Sequence, residues 1–406
     1  MLPLSNCLAT AISVGVIFFS VLFAQSRELA FPSAEGFGAL ATGGRNGEIV
    51  RVTTLEDNGP GSFREAVSKP NRFVVFELGG VIRLKSNVSV PSNITLAGHS
   101  APGDGIAFYG KSVSFSGSSN VIVRYLRFRQ GINGDRGKCS INISKGSNMI
   151  FDHCSIQWGR WDSLGVTQGS HDITFQHCII GEAIDPQRFG ALVDSVTNVT
   201  LHHNLWINNQ SRNPKAKGQI QYHNNVVYNW GVTGLVGGHS AADRQLDAIG
   251  NYFIKGPSSN DRFAGQFAPT DHVFQRDNYA DLDCDGELNG RLVEERDFGQ
   301  GKDAATFAAK PFLTPPVHVK VDTASAAYEK VLKTAGASLH RDSVDARLIA
   351  ELASLGKIGK ISRSEEEVGG MGELKGGKPT FDPAEFKTAA GLETFLNERI
   401  TNLIVK

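Results

Sequence analysis

Apolar and polar residues alternate in seven short segments between residues 92 and 251. SNITLAGH, SNVIVRYL, SNMIFDHC, SHDITFQHC, TNVTLHHN, GQIQYHNN and QLDAIGN align on one apolar column: Leu96, Val123, Phe151, Phe175, Leu201, Tyr222 and Ala248. The intervals are 27, 28, 24, 26, 21 and 26 residues. Period-two alternation with β-branched and aromatic residues marks strands, and the preceding Ser/Thr-Asn or Gly marks turns. A strong strand roughly every 25 residues predicts a solenoid. Leu is not the recurring residue, which excludes leucine-rich repeats, and a propeller blade needs about 40 residues. The pattern predicts an all-β chain, a right-handed parallel β-helix with three short strands per coil.

Three residues beyond the apolar column stand His99, Leu126, Cys154, Cys178, Asn204, Asn225 and Asn251. Coils stack about 4.8 Å apart, so side-chain amides at one position can bond from coil to coil. An asparagine ladder is expected there. Cys154 and Cys178 stack in the same column, as packed thiols or as a disulfide.

The periodicity fades after about residue 256. From 321 the apolar spacing becomes helical in AAYEKVLKTAGA, DSVDARLIAELASLG and PAEFKTAAGLETFLNERITNLIV, the last expected to start at Pro383. These helices are expected to cover the end or a flank of the solenoid. The segment 363–379 reads as a flexible loop. The expected organisation is a signal peptide over 1–26, the β-helix over 27–260, an irregular acidic loop and solenoid end over 261–320, and a helical extension over 321–406.

Leu8 to Ala24 is an uncharged apolar run of 17 residues, short for a membrane span of about 20. It reads as a signal peptide cleaved near Ala24 or Ser26, leaving a secreted monomer, extracellular or periplasmic, with no membrane span. Cleavage removes Cys7 and leaves Cys139, Cys154, Cys178 and Cys284. The 41 basic and 41 acidic residues cancel, which excludes the basic field of a general nucleic-acid binder. The 45 glycines, without a collagen period, fit many tight turns.

Three clusters carry candidate chemistry. SRNPKAK packs Arg212, Lys215 and Lys217 into seven residues, where like charges repel unless an anion binds. FDHCSIQWGRWDS combines Asp152, His153, Arg160 and Asp162 with Trp158 and Trp161, which could pack on sugars. DLDCDGE, Asp281 to Glu287, opens like a calcium loop, but position 12 is Leu292 rather than Glu. Solenoids display rows of side chains along a flat face, a geometry suited to an extended acidic polymer.

FPSAEGFGALATGG, PGSFREAV, ITLAGHSAPGDGI, VIVRYLRFR, IFDHCSIQWG, HHNLWINNQSRNPK and NNVVYNWG together resemble the bacterial pectate lyase family of secreted parallel β-helix polysaccharide lyases. The resemblance covers roughly residues 31 to 260 and continues loosely to about 375. It implies β-elimination on polygalacturonate. A base removes the C5 proton of a uronate whose carboxylate is neutralised by cations or a metal. By the family's R-x-P-x-x-R motif the base is Arg212, with Lys217 in place of the second arginine. Lys215, Lys217 and Arg160 would grip uronate carboxylates, and Trp158 or Trp161 would pack on sugars. The resemblance also implies calcium held by carboxylates on neighbouring coils. Two of these are replaced by Cys139 and Trp161, which leaves Asp162, Asp135 and Glu182 as ligands. The competing readings are a non-catalytic carbohydrate-binding β-helix, either a degenerate lyase or an adhesin, and a polygalacturonase-like hydrolase working through an acid pair.

Overall fold

A computed structural model describes residues 28–404. The expected signal peptide over 1–26 lies outside the described residues.

The chain winds into a parallel β-solenoid of about nine turns. The apolar column is its register. Leu96 pairs with Val123, Val123 with Phe151, Phe151 with Phe175, Phe175 with Leu201, Leu201 with Tyr222, and Tyr222 with Ala248. These residues point inward and stack, with the Phe151 and Phe175 rings 4.5 Å apart. A second ladder runs through Val113–Ser114, Ile141–Ser144, Asp162–Thr167, Phe189–His202 and Lys215–His223. The strands Phe189–His202 and Lys215–His223 are long enough to belong to both ladders, with register shifts where they bend. The third face is a ten-stranded sheet from Gly80–Arg83 to Arg291–Leu292.

The asparagine ladder forms at the corner before the third face and extends by one residue. Asn204 Nδ2 donates to Asn225 Oδ1 (3.0 Å), Asn225 to Asn251 (3.2 Å) and Asn251 to Asn278 (2.8 Å). All four residues are buried, so each amide must be satisfied by its neighbours. Cys154 and Cys178 are free thiols in the same column, and each is directed at a main-chain carbonyl.

Stacking does not stop where the sequence period fades. Asp271–Arg276 pairs with Arg244–Ile249, and Thr306–Phe307 pairs with Asp271–Arg276. The late coils carry long polar insertions, which hide the period without breaking the hydrogen-bond ladder.

The glycine-rich start lies on the outside of the first ladder. Phe37 N donates to Thr200 Oγ1 and Gly38 N to Thr174 Oγ1. A Cβ on Gly38 would fall 1.9 Å from the Met149 carbonyl, so only glycine permits this approach. The short helix α1 (Phe63–Ala66) is capped by Ser62 and puts Phe63 4.3 Å from Phe108.

The C-terminal helices cover flanks. Helices α2 (Ala324–Thr334) and α3 (Ser343–Ala353) lay Tyr328, Val331, Leu348 and Leu352 on Ile179, Leu205, Val226 and Tyr228 of the third face. Helix α4 (Ala389–Ile404) covers Phe73, Val75 and Ala97 with Leu392 and Leu396. It begins six residues later than expected, because Asp382 and Pro383 start a separate one-turn 3₁₀ helix. The stretch 363–379 is not a free loop. Glu365 is buried and accepts from Tyr109 Oη (2.7 Å) and Ile132 N (2.8 Å). None of the described helices is long and apolar enough to cross a membrane.

Candidate active site

The second ladder brings the basic cluster to its neighbours. Asp162 pairs with Phe189, and Phe189 bridges to Ser211. Leu192 pairs with Lys215, and Asp194 with Lys217. Alternation sends Ala216 and Val193 into the core and leaves Lys215, Lys217 and Asp194 on the outer face.

Arg212 takes a left-handed backbone conformation (φ 64°), turning its side chain back across the preceding coils. Its Nη1 donates to both oxygens of Asp162 at 3.2 Å. The guanidinium lies over the Phe189 ring, 4.1 Å from its centroid. Asp162 is 1% exposed and Arg212 21%. Burial pushes the Asp162 carboxyl up to about 6 even though Arg212 pulls it down.

Lys217 Nζ donates to Asp194 Oδ2 (3.2 Å), and Arg244 stands 3.9 Å from the other Asp194 oxygen. Lys215 makes no ion pair among the described residues. Burial lowers its pKa, and the charges of Arg212 and Lys217 add to that. The site therefore offers one largely buried guanidinium held by a carboxylate, and one ammonium that makes no ion pair among the described residues. Asp194, Phe189 and Arg244 were missed by sequence reasoning. Alignment of the outer positions of GALVDSV with those of PKAKG would have found Asp194.

The remaining candidates divide. Trp161 is 39% exposed and its main-chain carbonyl accepts from Phe189 N, so an aromatic face stands next to Asp162. Arg160 donates Nε to Asp185 O (3.1 Å) and Nη1 to Gly134 O (3.0 Å), tying two loops together. Trp158 presents no face to a sugar. It is fully buried among Ala107, Ile184, Val344 and Met371, and its Nε1 donates to Glu182 Oε2 (3.2 Å).

The three carboxylates expected to hold calcium do not converge. Asp162 is paired with Arg212, Asp135 with Lys111, and Glu182 with Arg347 of α3 at 2.6 and 2.8 Å. Glu182 is 1% exposed, with both oxygens used. Burial pushes the Cys139 thiol up to about 12, so it stays neutral beside Asp162. Calcium needs six or more oxygens within about 2.6 Å, and these residues do not supply them. In the Asp281–Glu287 loop the carboxylates accept main-chain N–H groups of the loop itself, and no set of three converges.

One set of ligand atoms does converge among the described residues: His177, His202 and His203. The His177 and His203 rings are stacked, 5.1 Å apart and within 19° of parallel. Ring lone pairs lie in the ring plane, so two stacked imidazoles aim past a shared ion. His203 bonds Asp322 and His177 bonds Thr334, both from the segment leading into and through α2. The set is a packing device under that helix.

A family model described as pectate lyase matches residues 5–338. The chain belongs to the pectate lyase family. Its similarity to a probable pectate lyase C of Aspergillus terreus is 42% identity over 378 residues, 91% of this chain and 88% of that one. A namesake from Emericella nidulans is 43% identical over 361 residues, 87% and 83% of the two chains. These pectate lyase relatives are fungal, so the bacterial qualifier in the resemblance is not supported. The fold matches that of the thermostable pectate lyase PL 47, with TM-score 0.55, 15% identity, and coverage of 78% of this chain and 99% of that one. It also matches the major cedar-pollen allergen Jun a 1, with TM-score 0.53, 19% identity, and coverage of 75% and 92%. As a pectate lyase family member, the protein is a polysaccharide lyase.

Proposed function

We propose that the protein cleaves polygalacturonate by β-elimination, with Arg212 as base and Lys215 as the cation that receives the uronate carboxylate. The observation that carries this reading is Lys215 itself, an ammonium with no ion pair among the described residues, beside the guanidinium of an R-x-P-x-x-R motif whose last arginine is here Lys217. The role of Arg212 rests on that motif.

A uronate carboxylate at Lys215 loses much of its negative charge, which acidifies the neighbouring C5–H. Arg212 takes the C5 proton. The electron pair forms the C4–C5 double bond, the C4–O4 bond breaks, and the leaving oxygen takes a proton from water. An arginine is a poor base by its ordinary pKa. Asp162 aims the guanidinium, and the Phe189 face and Asp162 both stabilise it once protonated. Trp161 offers a ring for an adjacent sugar. No step runs through calcium. Asp135 and Glu182 serve in their own ion pairs.

The protein acts outside the cell as a monomer in this reading, after loss of residues 1–26. The hydrolase reading lacks its acid pair. Asp152 is fully buried, bound to Arg124 (2.8 Å) and His153 (2.7 Å). The replaced carboxylates at Cys139 and Trp161 favour the non-catalytic reading, and turnover separates the two. Mass spectrometry of digested polygalacturonate tests the proposal: unsaturated fragments, one water lighter than hydrolysis products, support it, and saturated fragments or none contradict it.

A further inference from the structure

A cavity of about 460 Å³ lies between the solenoid and its C-terminal covering, and shares no lining residue with the Arg212 site. Its floor is the turn Gly98–Gly105 with Tyr125 and Arg127, and its walls are 337–340, 375–380 and the end of α4.

The walls are pinned. Asp104 N donates to Lys375 O (2.9 Å), and Lys375 N donates to Asp104 Oδ2 (2.7 Å). A Cβ on Gly103 would fall 2.2 Å from the Lys375 carbonyl, so the two segments meet backbone to backbone. Arg127 is 1% exposed and donates to the carbonyls of Asp104, Ala337 and His340. The cavity is therefore built into the fold, and its volume lies within the roughly 300–1,000 Å³ usual for small-molecule sites.

Its chemistry is one-sided. Lys375 and Arg399 line it and make no ion pair among the described residues; Arg399 donates to Thr380 Oγ1 (2.7 Å) and its guanidinium lies 5.4 and 5.5 Å from the Phe381 and Phe395 ring centroids. The one acidic lining residue, Asp104, already accepts from Lys375 N. Leu339, Leu396, Ile400 and the Tyr125 ring supply its apolar surface, beside the polar backbone of the glycine-rich turn. His99 stands edge-on to that ring at 5.8 Å, and its Nδ1 is buried with no partner.

We infer that this cavity binds a small carboxylate with a planar apolar body, its charge at Lys375 and Arg399 and its ring against Tyr125. A free uronic acid suits it poorly, because its hydroxyls would meet Leu339, Leu396 and Ile400 without partners. This inference is independent of the reaction proposed at Arg212.

Titration calorimetry of the full protein with 4-hydroxycinnamate tests it. The expected result is saturable one-to-one binding, weakened at least tenfold in the Lys375→Gln, Arg399→Gln double variant and unchanged in Arg212→Ala. Filling the cavity with Ala101→Phe abolishes binding in this account, and circular dichroism reports whether each variant is folded. Absence of saturable binding overturns the inference. So does equal affinity for the uncharged methyl ester, equal affinity for galacturonate, or undiminished binding in the folded double variant.

Discussion

Arg212 Nη1 reaches both carboxylate oxygens of Asp162 at 3.2 Å, across fifty residues of sequence and two turns of the solenoid. A buried carboxylate thus aims a guanidinium that the sequence places in an exposed basic turn. Asp162→Asn keeps the shape and removes the charge. Misaiming of a reacting group by about an ångström is worth up to about a hundredfold in rate, and kcat is expected to fall roughly ten- to hundredfold with a smaller change in KM. An unchanged kcat would remove Asp162 from the account.

The same pair sets a pH limb. The Asp162 pKa is raised to about 6, so the residue is neutral below that value and charged above it. The rate is expected to rise with pH through about 6, and Asp162→Asn should abolish that limb. A limb that survives the substitution belongs to another group.

Lys215 is the proposed anchor for the uronate. A hydrogen bond to a charged group is worth about 1.5–3 kcal/mol, so Lys215→Ala should lower kcat/KM roughly ten- to hundredfold. Because Asp135, Asp162 and Glu182 each sit in a separate ion pair, chelation of calcium is expected to lower the rate less than Lys215→Ala does. The reverse order would mean that a metal neutralises the uronate.

The histidines under α2 predict acid lability. Burial holds His177 and His202 well below the ordinary 6.5, His203 at about 4 and His223 at about 3. Asp152, Glu35, Asp322 and Lys330 face this set. A histidine neutral in the fold but protonated when unfolded binds fewer protons in the native state, so stability falls as pH falls. Full stability is present above 6.5 and is lost toward the folded values near 4 and 3, at about 1.4 kcal/mol per pH unit for each such histidine. Melting temperature against pH should drop across this window and flatten in His223→Gln, whose ring nitrogens have no partner in the wild type. A flat profile in the wild type would contradict this.

Glu182 is read as structural. Arg347→Ala strands it as a buried unpaired carboxylate, for which about 3–5 kcal/mol of destabilisation is usual. Adding Glu182→Gln should recover part of the loss, and calcium should recover none. Rescue of Arg347→Ala by calcium would return Glu182 to a metal site.

The coil register was legible because one apolar column repeats at near-constant spacing, and Asn204, Asn225 and Asn251 were legible because a ladder demands one residue type at one position. Contacts across coils were less legible. Trp158 beside Arg160 and Asp162 looks like a sugar platform, but the left-handed turn at Trp158 (φ 58°) directs it under α3. Glu182 is read as a ligand until Arg347, 165 residues later, is seen to occupy both its oxygens. The partner of Lys217 was hidden for the same reason, because Asp194 lies on another coil. The late coils escaped because their insertions break the period that hydrogen bonding preserves.

The most direct measurement is ultraviolet absorbance during incubation with polygalacturonate, comparing the mature protein with a folded Arg212→Ala variant. A steady rise from the C4–C5 double bond is expected, lost in Arg212→Ala. No rise from the wild type, or an equal rise from the variant, would contradict elimination at Arg212.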